Sequence, residues 1–174
     1  MMRTAAAGVS IAMLFALSVA VQTARDRRYS LSLTSATLLY LQSGRAVEKL
    51  SLSYDAVVAD VYWIRAIQHY GDERLGGGVQ RFSLLHPLLD IATSLDPRFV
   101  IAYRFGALFL SEPFPGGAGR PDLAIALLEK GLRAQPTKWQ YAEDIGFVYY
   151  WQLQSYKQAA AAFSRAADIP GAPW

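Results

Sequence analysis

A glycine set in the middle of an aromatic helix, followed by a second helix that closes on proline, recurs in this chain and constrains its fold more than any other feature. "RFVIAYRFGALFL" carries Gly106 mid-segment, and "LAIALLEKGLRAQP" then ends at Pro136. "TKWQYAEDIGFVYYWQL" carries Gly146 in the equivalent place, and "SYKQAAAAFSRAADIP" ends at Pro170. An earlier segment closes at "LDP", so the prolines at 97, 136 and 170 stand 39 and then 34 residues apart. Self-similarity at this period predicts helical hairpins, each burying its apolar face on the next. Glycine or alanine where two helices cross lets their axes approach to the short end of the roughly 8–10 Å range. Aromatic side chains then fill the space beside that contact. On this reading the packing positions are Gly106, Ala124, Gly131, Gly146, Ala159, Phe163 and Ala166.

These residues resemble the tetratricopeptide repeat (TPR) family. The last unit fits its pattern at Ile145-Gly146, Tyr149, Tyr156, Ala159, Phe163, Ala166 and Pro170. The middle unit fits at Phe105-Gly106, Phe109, Ala124, Leu128, Gly131 and Pro136, with an expanded loop, "SEPFPGGAGRPD", between its helices. The last unit has one extra residue between Tyr150 and Tyr156, and the first, 55–97, fits only at Leu89, Ala92 and Pro97. The resemblance implies an all-α solenoid of two clear repeats, 98–136 and 137–170, plus a divergent one. The segment from Tyr40 to Gly71 followed by these repeats is also similar to uncharacterised bacterial envelope TPR proteins.

Upstream, "DAVVADVYWIRAIQHYG" predicts a helix begun at Asp55, with an apolar face of Val58, Val61, Tyr62, Ile64 and Ile67, and stopped by Gly71. Residues 76–78 are a glycine loop, and Phe82, Leu85, Leu89 and Ala92 give the next helix, from Gln80 to Leu95, despite Pro87. Residues 29–54 are a linker in which two β-prone runs flank Ser43-Gly44, the sign of a small hairpin. Residues 171–174 end the chain where a polar capping helix is expected, which suggests a truncated sequence or an open end that continues into another subunit.

Residues 1–28 read as a signal peptide or membrane anchor. A basic start precedes an apolar run, 5–21, whose 17 residues lie at the lower limit for a membrane span. Ser18-Val19-Ala20 favours cleavage, whereas Arg25-Asp26-Arg27-Arg28 fits the flank of an uncleaved anchor. Net charge is +3, but four of the cations precede residue 29. Beyond it thirteen basic and thirteen acidic residues balance, so the body offers no nucleic-acid surface.

No catalytic constellation, cofactor motif or metal set is legible. The chain lacks Cys, and His69 and His86 have no partner at ligand spacing. The glycine stretches lack a Gly-Lys-Ser/Thr ending, and Glu143 and Asp144, being adjacent on a helix, point apart. The expectation is therefore a non-enzyme. By the TPR resemblance, Val100, Tyr103, Ala107 and Leu110, then Gln140, Glu143, Phe147, Tyr150 and Trp151, would line a concave groove. Tyr103, Phe147, Tyr150 and Trp151 there, or Phe114 at the tip of the expanded loop, would contact a protein partner. A carboxylate clamp is not expected, because the groove has no Lys and the chain no Asn. The expected role is an interaction scaffold at the bacterial cell envelope, periplasmic side favoured, tethered by the N-terminal segment. The alternatives are a structural subunit that self-associates through its uncapped end, and an accessory subunit of a membrane enzyme complex.

Overall fold

The computed structural model describes residues 13–24, 54–76 and 82–173, and every regular element among them is helical. The chain divides into two compact units, Met1–Thr37 and Leu38–Trp174. In the first, helix α1 (13–24) exposes Met13, Leu14, Phe15, Leu17 and Val21. Among the described residues no helix is long and apolar enough to cross a membrane. The expected hairpin around Ser43-Gly44 lies outside the described residues, and no strand occurs within them.

The second unit contains α2 (Asp55–Gly76), α3 (Leu85–Leu95), α4 (Val100–Ser111), α5 (Pro121–Ala134), α6 (Trp139–Phe147), a π-helical turn (Val148–Gln152) that continues α6, and α7 (Tyr156–Ala167). Connections of a few residues make each helix double back on its chain neighbour. The closest packing is within the pairs α2/α3, α4/α5 and α6/α7, and α3 also touches α5 as α4 touches α6. Four polar links between pairs recur at a similar spacing. Asp90–Lys130, Arg104–Asp144 and Glu129–Arg165 are all ion pairs, and Gln135 donates to the Pro97 carbonyl at 3.1 Å. Partners in these links stand 36 to 40 residues apart, close to the interval between the closing prolines.

Glycine sets the separation of the helices. A Cβ on Gly146 would lie 2.5 Å from the Phe163 ring, one on Gly131 2.9 Å from Tyr103, and one on Gly106 2.8 Å from Leu89. Ala124, Ala159 and Ala166 are buried, and Phe163 is half-buried.

Three local expectations change. Gly71 does not stop its helix, which runs on to Gly76. The roughly 1 kcal/mol that glycine costs inside a helix is offset because the last turns are anchored. Tyr70 stacks on Phe109 at 4.0 Å and donates to the Gly116 carbonyl at 2.7 Å. The buried face of α2 is Ala59, Tyr62, Ala66, His69 and Tyr70, while Val61, Ile64 and Ile67 are exposed. Two alanines on that face let α3 approach closely, so Val61, Ile64 and Ile67 turn outward, while Val58 and Tyr62 of the expected face pack on the core. Finally, α3 starts at Leu85, not Gln80, with Pro87 in its first turn, where a missing N–H costs nothing. Phe82, just before it, is buried with φ of 55°, a left-handed conformation that a bulky residue adopts only under constraint.

Candidate functional site

The described part of the second unit carries an open groove of about 440 Å³ between α4 and the α6–π-helix segment. Phe105, Leu108, Phe147, Val148 and Trp151 supply apolar walls, Ala107 and Leu128 lie at the base, and Ser111 and Gln152 mark one end. Phe105, Leu108, Phe147 and Trp151 are all exposed, Trp151 by 66%.

The π-helix accounts for how Trp151 comes to point there. The Leu153 N–H donates to the Val148 carbonyl at 3.2 Å, an i to i+5 bond that winds one extra residue into the helix. The turn spans Val148–Gln152 and so overlaps the stretch from Tyr150 to Tyr156 in which one extra residue is expected. The widened turn aims Trp151 outward and sets Tyr150 against both Trp151 (4.9 Å) and Tyr156 (5.4 Å). Gln154 then reverses the chain at φ of 50°, and the Ser155 N–H closes on the Tyr149 carbonyl at 2.9 Å.

A charged pair also lines the groove. Arg104 grips Asp144 through Nε to Oδ2 at 2.6 Å and Nη2 to Oδ1 at 2.9 Å, a fork that fixes both side chains. The hydrogen bonds to Asp144 raise the already high pKa of the guanidinium. Next to it, burial and then the Asp144 charge push the Glu143 carboxyl above the usual carboxylate range. The pair is self-neutralised, so the groove's interactions are dominated by its apolar surface. Among the described residues no three His, Asp or Glu side chains stand close enough to hold a metal ion.

The structure separates the residues that the sequence grouped as a binding set. Phe147 and Trp151 stand in the groove, and Tyr150 is exposed beside it. Tyr103 does not belong to the surface. It is fully buried, donates from its hydroxyl to the Thr93 carbonyl at 3.2 Å, and packs on Tyr141 at 5.4 Å. Burial pushes its phenol up to about 12. Leu110 is likewise buried, Val100 is half-buried, and Gln140 and Glu143 do not line the groove. Of the expected 100/103/107/110 set Ala107 alone lines the groove, at its base, and the open face of α4 is Arg104, Phe105 and Leu108. Phe114 is exposed on the loop between α4 and α5, away from the groove lining, with its ring edge-on to Phe82 at 6.5 Å.

Sequence reasoning missed Arg104 and Asp144 as a pair. Their signal was present: opposite charges on successive first helices, 40 residues apart, matching the repeat interval. In comparisons with family models, curated proteins and solved structures, the chain finds no match.

Proposed function

We propose that the body is a TPR-type helical-hairpin array serving as a non-enzymatic scaffold at the bacterial cell envelope. It holds an apolar segment of a partner protein in the α4/α6 groove. The observation that carries this reading is the row of exposed apolar side chains along the groove, Phe105, Leu108, Phe147 and Trp151, on helices fixed to one another by a forked ion pair. Large aromatic anchors in a preformed cleft are what a partner segment needs to gain affinity without reordering the scaffold. The recurrence of inter-hairpin links near the proline interval supports the array. The apolar run at 5–21 with its basic flanks supports the envelope location.

The test is capture of the full chain from gently solubilised membranes, beside a variant carrying Leu108→Ser and Trp151→Ser. Both side chains are exposed, so the helical signal and melting should be preserved. A protein recovered with the parent and lost with this variant supports the groove. The same protein recovered with both moves the contact to another surface, and recovery of further copies alone favours the self-assembling subunit.

A further inference from the structure

Among the described residues, Gly71, Gly106, Gly131 and Gly146 stand inside helices, and three of them mark a close helix contact. A Cβ on Gly106, Gly131 or Gly146 would come within 2.9 Å of a side chain on a neighbouring helix. Gly71, in α2, is the exception, because its Cβ would meet nothing within 4 Å. It does not end the helix, and it costs α2 about 0.5–1 kcal/mol relative to alanine. No contact within the described residues explains it.

Gly71 lies on a stripe that the described part of the body leaves open. At about 100° per residue, Val57, Val61, Ile64, Ile67 and Leu75 share one side of α2 with it, and all five are exposed, Leu75 by 90%. Charged residues run along the flanks, Asp60 and Arg74 on one and Arg65 and Asp72 on the other. The bare parts of the five apolar side chains come to roughly 400–500 Å² per copy, a large patch for a monomer, and two such patches with their flanks reach the ~1,000 Å² floor of a specific interface.

The stripe is complementary to itself. Two α2 helices set antiparallel about a two-fold axis between Ile67 and Gln68 bring Ile64 of each onto Gly71 of the other, because 64 and 71 stand equally far from that axis. The same operation lays Leu75 against Val57 and Val61 of the second copy. On the flanks, Asp60 comes level with Arg74 of the second copy, and Arg65 with Asp72, each within about 3 Å along the helix at 1.5 Å per residue. Arg74 is steadied by its 2.8 Å bond to the Tyr70 hydroxyl, and Arg65 by the Tyr62 ring at 5.8 Å. A parallel pair would instead set Ile64 against Ile64 and Gly71 against Gly71, leaving a void at the glycines. Opposite charges that fall into register on both flanks have no counterpart on an acyl surface, so they favour a protein occupant, and the match of notch to knob favours this chain itself.

We propose that α2 is the seam of a two-fold dimer in which Ile64 of each copy fills the notch at Gly71 of the other. The occupant of the stripe is a second copy of this chain. The interface is isologous and closes at two, unlike growth through the last hairpin. It uses none of the groove residues, so the dimer presents two α4/α6 grooves.

The chain has no cysteine, so engineered disulfides report the register. Full-length chains carrying Ile64→Cys or Gly71→Cys, one substitution each, are mixed in mild detergent and oxidised. The expected product is the mixed disulfide with little of either self-linked pair, since equal residues at 64 or at 71 stand about 10 Å apart along the axis. Ile67→Cys, next to the axis, should link to itself. In sedimentation the cysteine-free parent should dimerise, and Gly71→Leu should weaken the dimer at least tenfold. At dilutions where the parent has dissociated, Gly71→Leu should keep its helix content and melting, because leucine is the better helix former. The proposal is overturned if the parent stays monomeric, or if self-linked 64 and 71 pairs dominate. It is overturned too if Gly71→Leu dimerises as well as the parent, since the dimer is then held elsewhere, the N-terminal segment included. A lower melting point for dissociated Gly71→Leu would also overturn it, by showing that the chain's own residues cover the stripe.

Discussion

Two glycines inside helices should respond in opposite directions to the same added methyl group. At Gly71 a Cβ meets nothing within 4 Å, so alanine brings only its higher helix propensity, a gain of about 0.5–1 kcal/mol. At Gly146 the new Cβ would stand 2.5 Å from Phe163 Cε1, 2.6 Å from Cδ1 and 2.9 Å from Cζ. Carbon atoms in contact prefer about 3.5–4.0 Å, so the ring must retreat by roughly 1 Å. It cannot do so freely, because Phe147 holds it edge-on at 5.3 Å. Overpacking of this kind costs about 1–3 kcal/mol, against which the same propensity gain applies, leaving a net loss of roughly 0–2 kcal/mol. The propensity terms cancel in the difference between the two variants, which therefore measures the packing term alone. Urea unfolding of the full chain followed by circular dichroism, with unchanged m-values, gives both numbers. A double-mutant cycle sharpens the test: in a Phe163→Ala background, Gly146→Ala should become stabilising by about as much as Gly71→Ala. Gly106→Ala should fall between the extremes, because the atoms it meets at 2.8 and 2.9 Å are Leu89 methyls, which can rotate away. If Gly146→Ala stabilises as much as Gly71→Ala, or shows no coupling to Phe163, the close crossing of α6 on α7 is refuted.

Three further outcomes are expected. Gln154→Gly should stabilise by about 0.5–1 kcal/mol in a thermal melt, since glycine removes the left-handed strain at φ of 50° at a smaller cost in unfolded-chain entropy; a lower midpoint would contradict that backbone. His69 is buried and accepts the Leu84 N–H at Nε2 (3.3 Å); burial lowers its pKa, opposed by the Asp72 charge. The unfolded chain then binds a proton that the native chain refuses. This contribution is complete above pH 6.5 and is lost as pH falls below it, with a slope of up to about 1.4 kcal/mol per pH unit. His69→Gln, which keeps an acceptor but cannot titrate, should remove that slope from stability measured across this range, and an unchanged slope would place its origin elsewhere. Asp144→Ala should cost about 1–3 kcal/mol, because it strips a mostly buried partner from the Arg104 fork, and a loss below 0.5 kcal/mol, ~ the level of an exposed pair, would show the pair to be solvent-screened.

The groove illustrates why a site is harder to read than a fold. Phe147 and Trp151 were legible as candidates because large aromatics in a mostly small-residue unit have few places to go. Tyr103 was not separable from them, since a buried and an exposed aromatic look alike in a string. Its burial follows from Gly131 on α5, whose missing side chain leaves room for the Tyr103 ring, 2.9 Å from where a Cβ would be. The aliphatic face expected for α2 failed for a related reason. Periodicity marks the rows a helix could bury, but the neighbouring helix selects the row that permits the closer approach, here Ala59 and Ala66.

By itself the sequence determined the existence of the helices of the body and the proline-marked stops, because proline and propensity act locally within a few residues of chain, but not the end of α2, which passes through Gly71 to Gly76. It also determined the interval at which the hairpins recur, since that interval is written in the spacing of Pro97, Pro136 and Pro170. Tertiary structure alone decided which side of each helix faces its neighbours, and therefore that Arg104, Phe105 and Leu108, not Tyr103, open onto the groove. It also decided the π-turn at Val148–Gln152, which leaves Trp151 exposed in the groove. Those outcomes depend on contacts between residues some 40 positions apart, and only the folded chain brings such residues together.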